Sequence, residues 1–191
     1  MAARGKGMGM TNEMSARGAS TLWILLLTAA STITTLVLAC ATPFPALAAL
    51  AAVHMHRRDG VLLMLAAWAV SQGIGFGMLH YPHDATTLGW AVALGTAAIV
   101  SALAASSIAG RLSSAFPVRL AFAYVASFVA FKAIVFLWSL GLGGAATALS
   151  PSIMANQFLR NGAILIGLLI LYRALVALGV PAAPSVRTAA A

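Results

Sequence analysis

From Thr21 to Leu178 the chain is a succession of six apolar runs, separated by short polar breaks. Few charges interrupt them, since only 7% of the 191 residues are Asp, Glu, Lys or Arg. A soluble domain carries roughly a quarter charged residues. With 62% hydrophobic residues, too little polar surface remains to face water. A soluble enzyme, a disordered tail and a coiled coil are excluded on this ground, and the composition is that of a multi-span membrane protein. One span takes about 20 residues, so a chain of this length holds about six or seven at most. Any function sits in the helix bundle or its short loops.

The spacing predicts spans over Thr21–Cys40, Phe44–Met55, Val61–Leu79, Thr86–Ala109, Pro117–Leu140 and Ser152–Leu178. Pro43 and Pro45 break the first run, because proline lacks an N–H and restricts its neighbour. His56-Arg57-Arg58-Asp59-Gly60, His80-Tyr81-Pro82-His83-Asp84 and Gly110-Arg111-Leu112-Ser113-Ser114 read as turns. Gly141 to Pro151 reads as the longest outer loop. The second run is too short for a full crossing, so it is tilted, broken or packed inside the bundle. Thr21–Cys40 exceeds the h-region of a signal peptide, which runs about 7–15 residues, and is read as a retained span. The expectation is an all-α polytopic protein with six transmembrane helices in one bundle over residues 21–178. Residues 1–20 are expected to be a disordered cytoplasmic lead-in, and 179–191 a disordered tail.

Charge placement orients the bundle. With the N-terminus cytoplasmic, Arg4, Lys6, Arg17, Arg57, Arg58, Arg111, Arg119, Arg173 and Arg187 all fall on or near the inner side. The outer connections carry no Lys or Arg, as the positive-inside rule requires. The net charge of +8 is therefore a topology signal rather than a nucleic-acid footprint. Both termini are expected to be cytoplasmic, in a bacterial inner membrane.

Two bases remain, Lys132 and Arg160, both inside predicted spans. From the segment ends, each lies about 12–14 Å below the outer surface at 1.5 Å per residue. A charge at such depth costs at least about 2.5–3.5 kcal/mol on the insertion scale. The chain's only acids are Glu13, Asp59 and Asp84, none within the fifth or sixth span. The basic excess invites an anion, while snorkelling to the headgroups or pairing with Asp84 are the structural alternatives. Asn156 and Arg160 stand four apart, as do Gln157 and Asn161, so each pair shares a helix side. Gln72 lies in the outer half of the third span. His80, Tyr81, His83 and Asp84 cap the outer face, with Trp90 and Trp138 just inside it. Together these outline an apolar-walled, outward-facing pocket with a few placed polar groups; the two tryptophans equally suit an interfacial belt.

The histidines form two pairs on opposite membrane sides, His54 with His56 and His80 with His83, which disfavours a haem pair across one leaflet. His80, His83 and Asp84 make a weak metal candidate at the outer rim, so no metal or cofactor is expected. Cys40 has no base near it in sequence. Neither a Ser-His-Asp set, nor a Walker motif, nor paired acids for hydrolysis occur, and an enzyme is not supported. The alanines at 46, 48, 49, 51 and 52 cover nearly every side of the second run, suiting close internal packing or a docking face for another subunit.

The six spans, the Ala-rich start, Thr42-Pro43-Phe44-Pro45-Ala46-Leu47 opening a short second span and the basic turn Arg57-Arg58-Asp59-Gly60 resemble the substrate-binding S-component of energy-coupling-factor vitamin transporters. The resemblance implies a ligand held near the outer face by the last three spans, which points to Lys132, Asn156, Gln157, Arg160 and Asn161. It also implies a membrane-embedded coupling subunit with ATPases as partner. The resulting expectation is a substrate-binding subunit for uptake of a small anionic metabolite or vitamin. The alternative is a non-transport accessory or assembly subunit of a larger membrane complex; a His-ligated redox subunit is the weaker third class.

Overall fold

A computed structural model of the chain describes residues 4–37 and 43–183, with side chains placed for 17–33 and 43–183. Its helices are α1 (Arg4–Val37), α2 (Phe44–His54), α3 (Arg57–Gly77), α4 (Ala85–Arg111), α5 (Phe116–Leu142), α6 (Ala145–Ala148) and α7 (Pro151–Ala177). Among the described residues α3, α4, α5 and α7 are long and apolar enough to cross a membrane. The three 27-residue helices α4, α5 and α7 span about 40 Å each at 1.5 Å per residue. That exceeds a hydrocarbon core of about 30 Å. A helix satisfies its own backbone, so these segments are stable in lipid. The chain is an all-helical, multi-pass membrane protein.

The boundaries differ from the sequence expectation in four places. Helix α1 starts at Arg4, well ahead of the expected span start at Thr21, and the end of that run, with Cys40, lies outside the described residues. Helix α3 starts at Arg57, so Arg57, Arg58 and Asp59 form its first turn instead of a hairpin. The expected loop at Gly141–Pro151 contains the single turn α6. The start of the expected tail is docked: Ala183 is buried, and the Pro181 carbonyl accepts a hydrogen bond from Trp23 Nε1 at 2.7 Å.

Helix ends follow their local chemistry. Asp84 caps α4, accepting from the Thr87 N–H at 2.8 Å and the Thr87 hydroxyl at 3.1 Å. Pro117 and Pro151 lie in the first turns of α5 and α7, where the absent N–H costs nothing. Gly143 at φ 88° follows α5, a conformation that glycine adopts without strain.

Helix α2 forms the centre. At 11 residues it is about 16 Å long, half a membrane crossing. Phe44, Ala46, Leu47, Ala48, Ala49, Leu50 and Ala51 are all nearly inaccessible, around the whole circumference. Helices α3, α4, α5 and α7 pack around it. The alanines allow backbones to approach closely on every side. Ser127 on α5 donates to the Pro45 carbonyl at 2.9 Å, and the Phe44 and Phe131 rings lie 6.0 Å apart, fixing the start of α2 against the middle of α5.

Arginines 57, 111, 119 and 173 gather at the end of the bundle where α3 and α5 begin and α4 and α7 finish. This basic end also holds an aromatic chain. The Trp23 ring lies 4.4 Å from Tyr172, Tyr172 lies 4.1 Å from His54, and Arg173 sits over Phe116 at 5.3 Å. At the opposite end are the α3–α4 connection and α6.

The close approach at α2 makes it intolerant of bulk. Ala49→Leu is expected to cost about 1–3 kcal/mol through overpacking, read as a lowered thermal midpoint in detergent. Leu140→Ala, at a site 62% exposed, should change the midpoint little.

Candidate functional site

The polar residues of α7 divide between two sides of the helix. Asn161 turns toward the bundle interior, and Gln157, though exposed, lies on the side that reaches α5. Lys132 on α5 is buried, and its Nζ donates to Gln157 Oε1 at 3.0 Å. Asn161 is also buried. Its Nδ2 donates to the Gln157 carbonyl at 3.0 Å, while its buried Oδ1 has no partner. No carboxylate pairs with Lys132 among the described residues. An ammonium has three donors, so a buried cation here uses one and lacks a counter-charge.

Lys132 follows Phe131, the residue packed against Phe44 at the start of α2. The cation thus lies near the level where α2 begins. A helix N-terminus carries partial positive charge from its unsatisfied N–H groups. Just toward the basic end, the Tyr124 hydroxyl donates to the Phe158 carbonyl, and the Tyr124, Phe128 and Phe158 rings stack in mutual contact. From that stack an apolar groove of about 580 Å³ runs between α5 and α7, past Leu120, Gly162, Ile166 and Leu169.

The other polar side of α7 faces outward. Asn156 and Arg160 are exposed, and Arg160 makes no hydrogen bond or ion pair among the described residues. Ala163 and Gly167 continue the same exposed side at helical spacing. The structure therefore does not bring Arg160 to the Lys132 group. The four-residue spacing sorts Gln157 and Asn161 to one side and Asn156 and Arg160 to another.

The remaining expected site residues lie at the end opposite the arginines. Gln72 on α3 is half-buried and donates to its neighbour Ser71 at 3.3 Å. The loop after α3 folds back on that helix: the Tyr81 N–H bonds the Gly75 carbonyl, and its ring covers Gly75 so closely that a Cβ there would lie 2.6 Å from it. Tyr81 and His83 both pack on Phe76, at 6.0 and 5.3 Å between centroids. His80 takes a φ of 54° in this turn and is exposed. Asp84 is occupied as the α4 cap. Trp90 is half-buried, and Trp138 Nε1 donates to Thr96 Oγ1 at 3.0 Å between α5 and α4. These residues shape the loop rather than converge on Lys132. His54 belongs to the aromatic chain at the basic end, far from His80 and His83. Among the described residues no three His, Cys, Asp or Glu side chains converge in a metal-binding group.

Sequence reasoning missed the Trp23–Tyr172–His54 chain and the cavity that Arg57 and Arg119 line at the basic end. The conspicuous basic turn is the available signal for the latter, although its charge alone does not place a cavity there. Comparison with family models, curated proteins and solved structures gave no match.

The Thr87 N–H holds the Asp84 carboxyl below its ordinary value, with the Thr87 hydroxyl and the Thr86 N–H acting in the same direction. A depressed carboxylate adds stability above its unfolded value and loses it as pH falls through the folded value. Asp84→Ala should therefore lower the thermal midpoint at neutral pH. The gap from wild type should close as the pH drops below the carboxylate range. A constant gap down to the lowest pH would show that the cap contributes no charge-dependent stability.

Proposed function

We propose that this chain is the membrane-embedded binding subunit of an uptake system for a small anionic solute, with Lys132, Gln157 and Asn161 as its recognition group. The observation that carries the reading is the buried Lys132 ammonium, bonded only to a neutral amide with no acid beside it. A carboxylate or phosphate supplies the missing charge, and the unpartnered Asn161 Oδ1 takes a hydroxyl or N–H of the same ligand. Broken helices in transporters present positive N-termini to anionic substrates in the same manner, and α2 begins near the level of Lys132. The sequence offers no nucleotide-binding motif, so the energy comes from a partner or from the solute gradient.

The proposed arrangement has six spans and both termini cytoplasmic, in a bacterial inner membrane. The arginines at one end support that orientation, since positive residues stay on the cytoplasmic side. The run at α1 and the half-length α2 complete the six. Reporter fusions after Arg58 and Gly110 should read cytoplasmic, and fusions at Pro82 and Gly144 periplasmic. A periplasmic signal after Arg58 would overturn the orientation.

Arg160 favours a second reading. An unpaired cation on the outer side of a spanning helix, continued by Ala163 and Gly167, suits a partner helix bearing an acid at matched depth. Such a contact fits an accessory subunit of a larger membrane complex, or the coupling subunit that an uptake protein needs.

The two readings separate by substitution. A charge-assisted hydrogen bond contributes about 1.5–3 kcal/mol, or roughly ten- to a hundredfold in affinity. Lys132→Met should weaken binding of carboxylated solutes by that factor and leave uncharged analogues unaffected, measured by calorimetry on purified protein. Arg160→Gln should leave solute affinity within about twofold, outside the range of such a contact, while reducing recovery of any co-purifying membrane subunit. Unchanged binding of every solute to the Lys132 variant would remove the uptake reading.

A further inference from the structure

At the basic end, the finish of α4 and the starts of α3 and α5 enclose a cavity of about 300 Å³, lined by Arg57, Arg119, Ser106, Ser107, Met55 and Gly110, among others. Both arginines lack an ion-pair partner among the described residues, and Arg119 Nε is buried with no hydrogen-bond acceptor. Ser106 and Ser107 Oγ donate to the Ala102 and Leu103 carbonyls at 2.7 Å, and neither oxygen accepts from Arg119 Nε. Asp59, the acid placed at this end, accepts from Ser20 on α1. The α3 N-cap, His56, makes no side-chain cap bond, so the first N–H groups of α3 add partial positive charge beside Arg57. Planar guanidinium forks with free N–H groups match a phosphate.

A second cavity shows what the phosphate is attached to. Arg57 also lines an adjoining open groove of about 470 Å³, walled by Val61 and Leu62 of α3 and Leu103 of α4, with Arg58 at its rim. A polar pocket at a helix end therefore passes, at one residue, into an apolar trough running along the spans. The end of a spanning helix is also the level at which lipid phosphates lie. We propose that this end of the bundle is a specific phospholipid site: the phosphate sits between Arg57 and Arg119, and an acyl chain lies along Val61, Leu62 and Leu103. A free phosphate would use the first cavity and leave the trough empty, so the trough commits the site to a lipid. This site stands apart from the Lys132 group and does not rest on the uptake reading.

The test uses the full chain in a neutral detergent, with phosphatidylglycerol as the probe and native mass spectrometry and thermal-shift titration as readouts. One phosphatidylglycerol should be retained per chain, at least tenfold more tightly than phosphatidylcholine, whose headgroup carries an added positive charge. Arg57→Gln and Arg119→Gln should each weaken retention by about tenfold or more, the scale of one charge-assisted contact. Arg119→Lys, which keeps the charge and loses the fork, should fall between wild type and Arg119→Gln. Arg111→Gln, at an arginine on the same end that lines neither cavity, should stay within twofold. Leu103→Trp should fill the trough and weaken lipid retention while leaving both guanidiniums in place. If Arg119→Gln fails to fold, Arg57→Gln and Leu103→Trp carry the same readout. Equal retention of the two lipids, an Arg111→Gln loss as large as that of Arg57→Gln, indifference to Arg57→Gln and Leu103→Trp, or stabilisation by inorganic phosphate equal to that by lipid would each overturn the proposal.

Discussion

The enclosure of α2 governs the rest of the bundle. A helix of about 16 Å cannot present both ends to the two membrane surfaces. Its alanines are too small to fill space unless neighbouring backbones come close. Both conditions are met when α3, α4, α5 and α7 close around it. The Ser127 hydroxyl finds its acceptor in the Pro45 carbonyl, which pins α5 to the start of α2. Pro45 lacks an N–H of its own, so one donor that would otherwise need a partner in the core is absent. Because α2 covers only part of the membrane depth, the start of a helix is set inside the bundle, near the level of Lys132.

With so few charges, each cation's position is informative. Those at the basic end lie at or near helix termini, where spanning helices meet the membrane surface. Lys132 and Arg160 lie within spans, and α7 treats them differently. One side of that helix meets Lys132 with an amide; the other carries Arg160 outward. A like-charge pair sharing one pocket would add repulsion to the desolvation of both. On α7 Arg160 points about 100° away from the adjacent Asn161, which limits that repulsion and gives the two groups different surroundings.

The long spans and the short second helix were legible because hydropathy and proline are local signals. The same was true of the basic end, where the turn at Arg57 and the residues Arg111, Arg119 and Arg173 stand at segment boundaries. The grouping of Lys132 with Gln157 was within reach, because depth along two consecutive helices can be counted from their ends. Rotation about a helix axis cannot be counted that way. Residue spacing said that Asn156 goes with Arg160 and Gln157 with Asn161, yet not which pair turns inward. The packing of α7 on α2 decides that, through Leu165, Leu168 and Tyr172, which bury the same side as Asn161. The contact between Trp23 and the Pro181 carbonyl joins positions 158 residues apart, and no local pattern encodes it. That contact docks residues 181–183, just beyond α7, against α1.

The inward side of α7 holds its polar groups by different means at different depths. Near the basic end the Tyr172 ring packs between Trp23 and His54, a rigid aromatic chain. Near the middle, Tyr124 on α5 reaches across to the Phe158 carbonyl of α7. Beyond it, Lys132 and Gln157 are joined by one bond between two flexible side chains. The aromatic chain thus ties α7 to α1 and α2 near the basic end, while at the Lys132 level α5 and α7 are joined by a single side-chain bond. A buried ammonium with unused donors at the loose part of a helix contact can admit an anion by shifting two side chains. An unmet charge held by two flexible side chains suits the transient ligand proposed for Lys132, while the cavity lined by Arg57 and Arg119 offers two cations to the lipid proposed for the basic end.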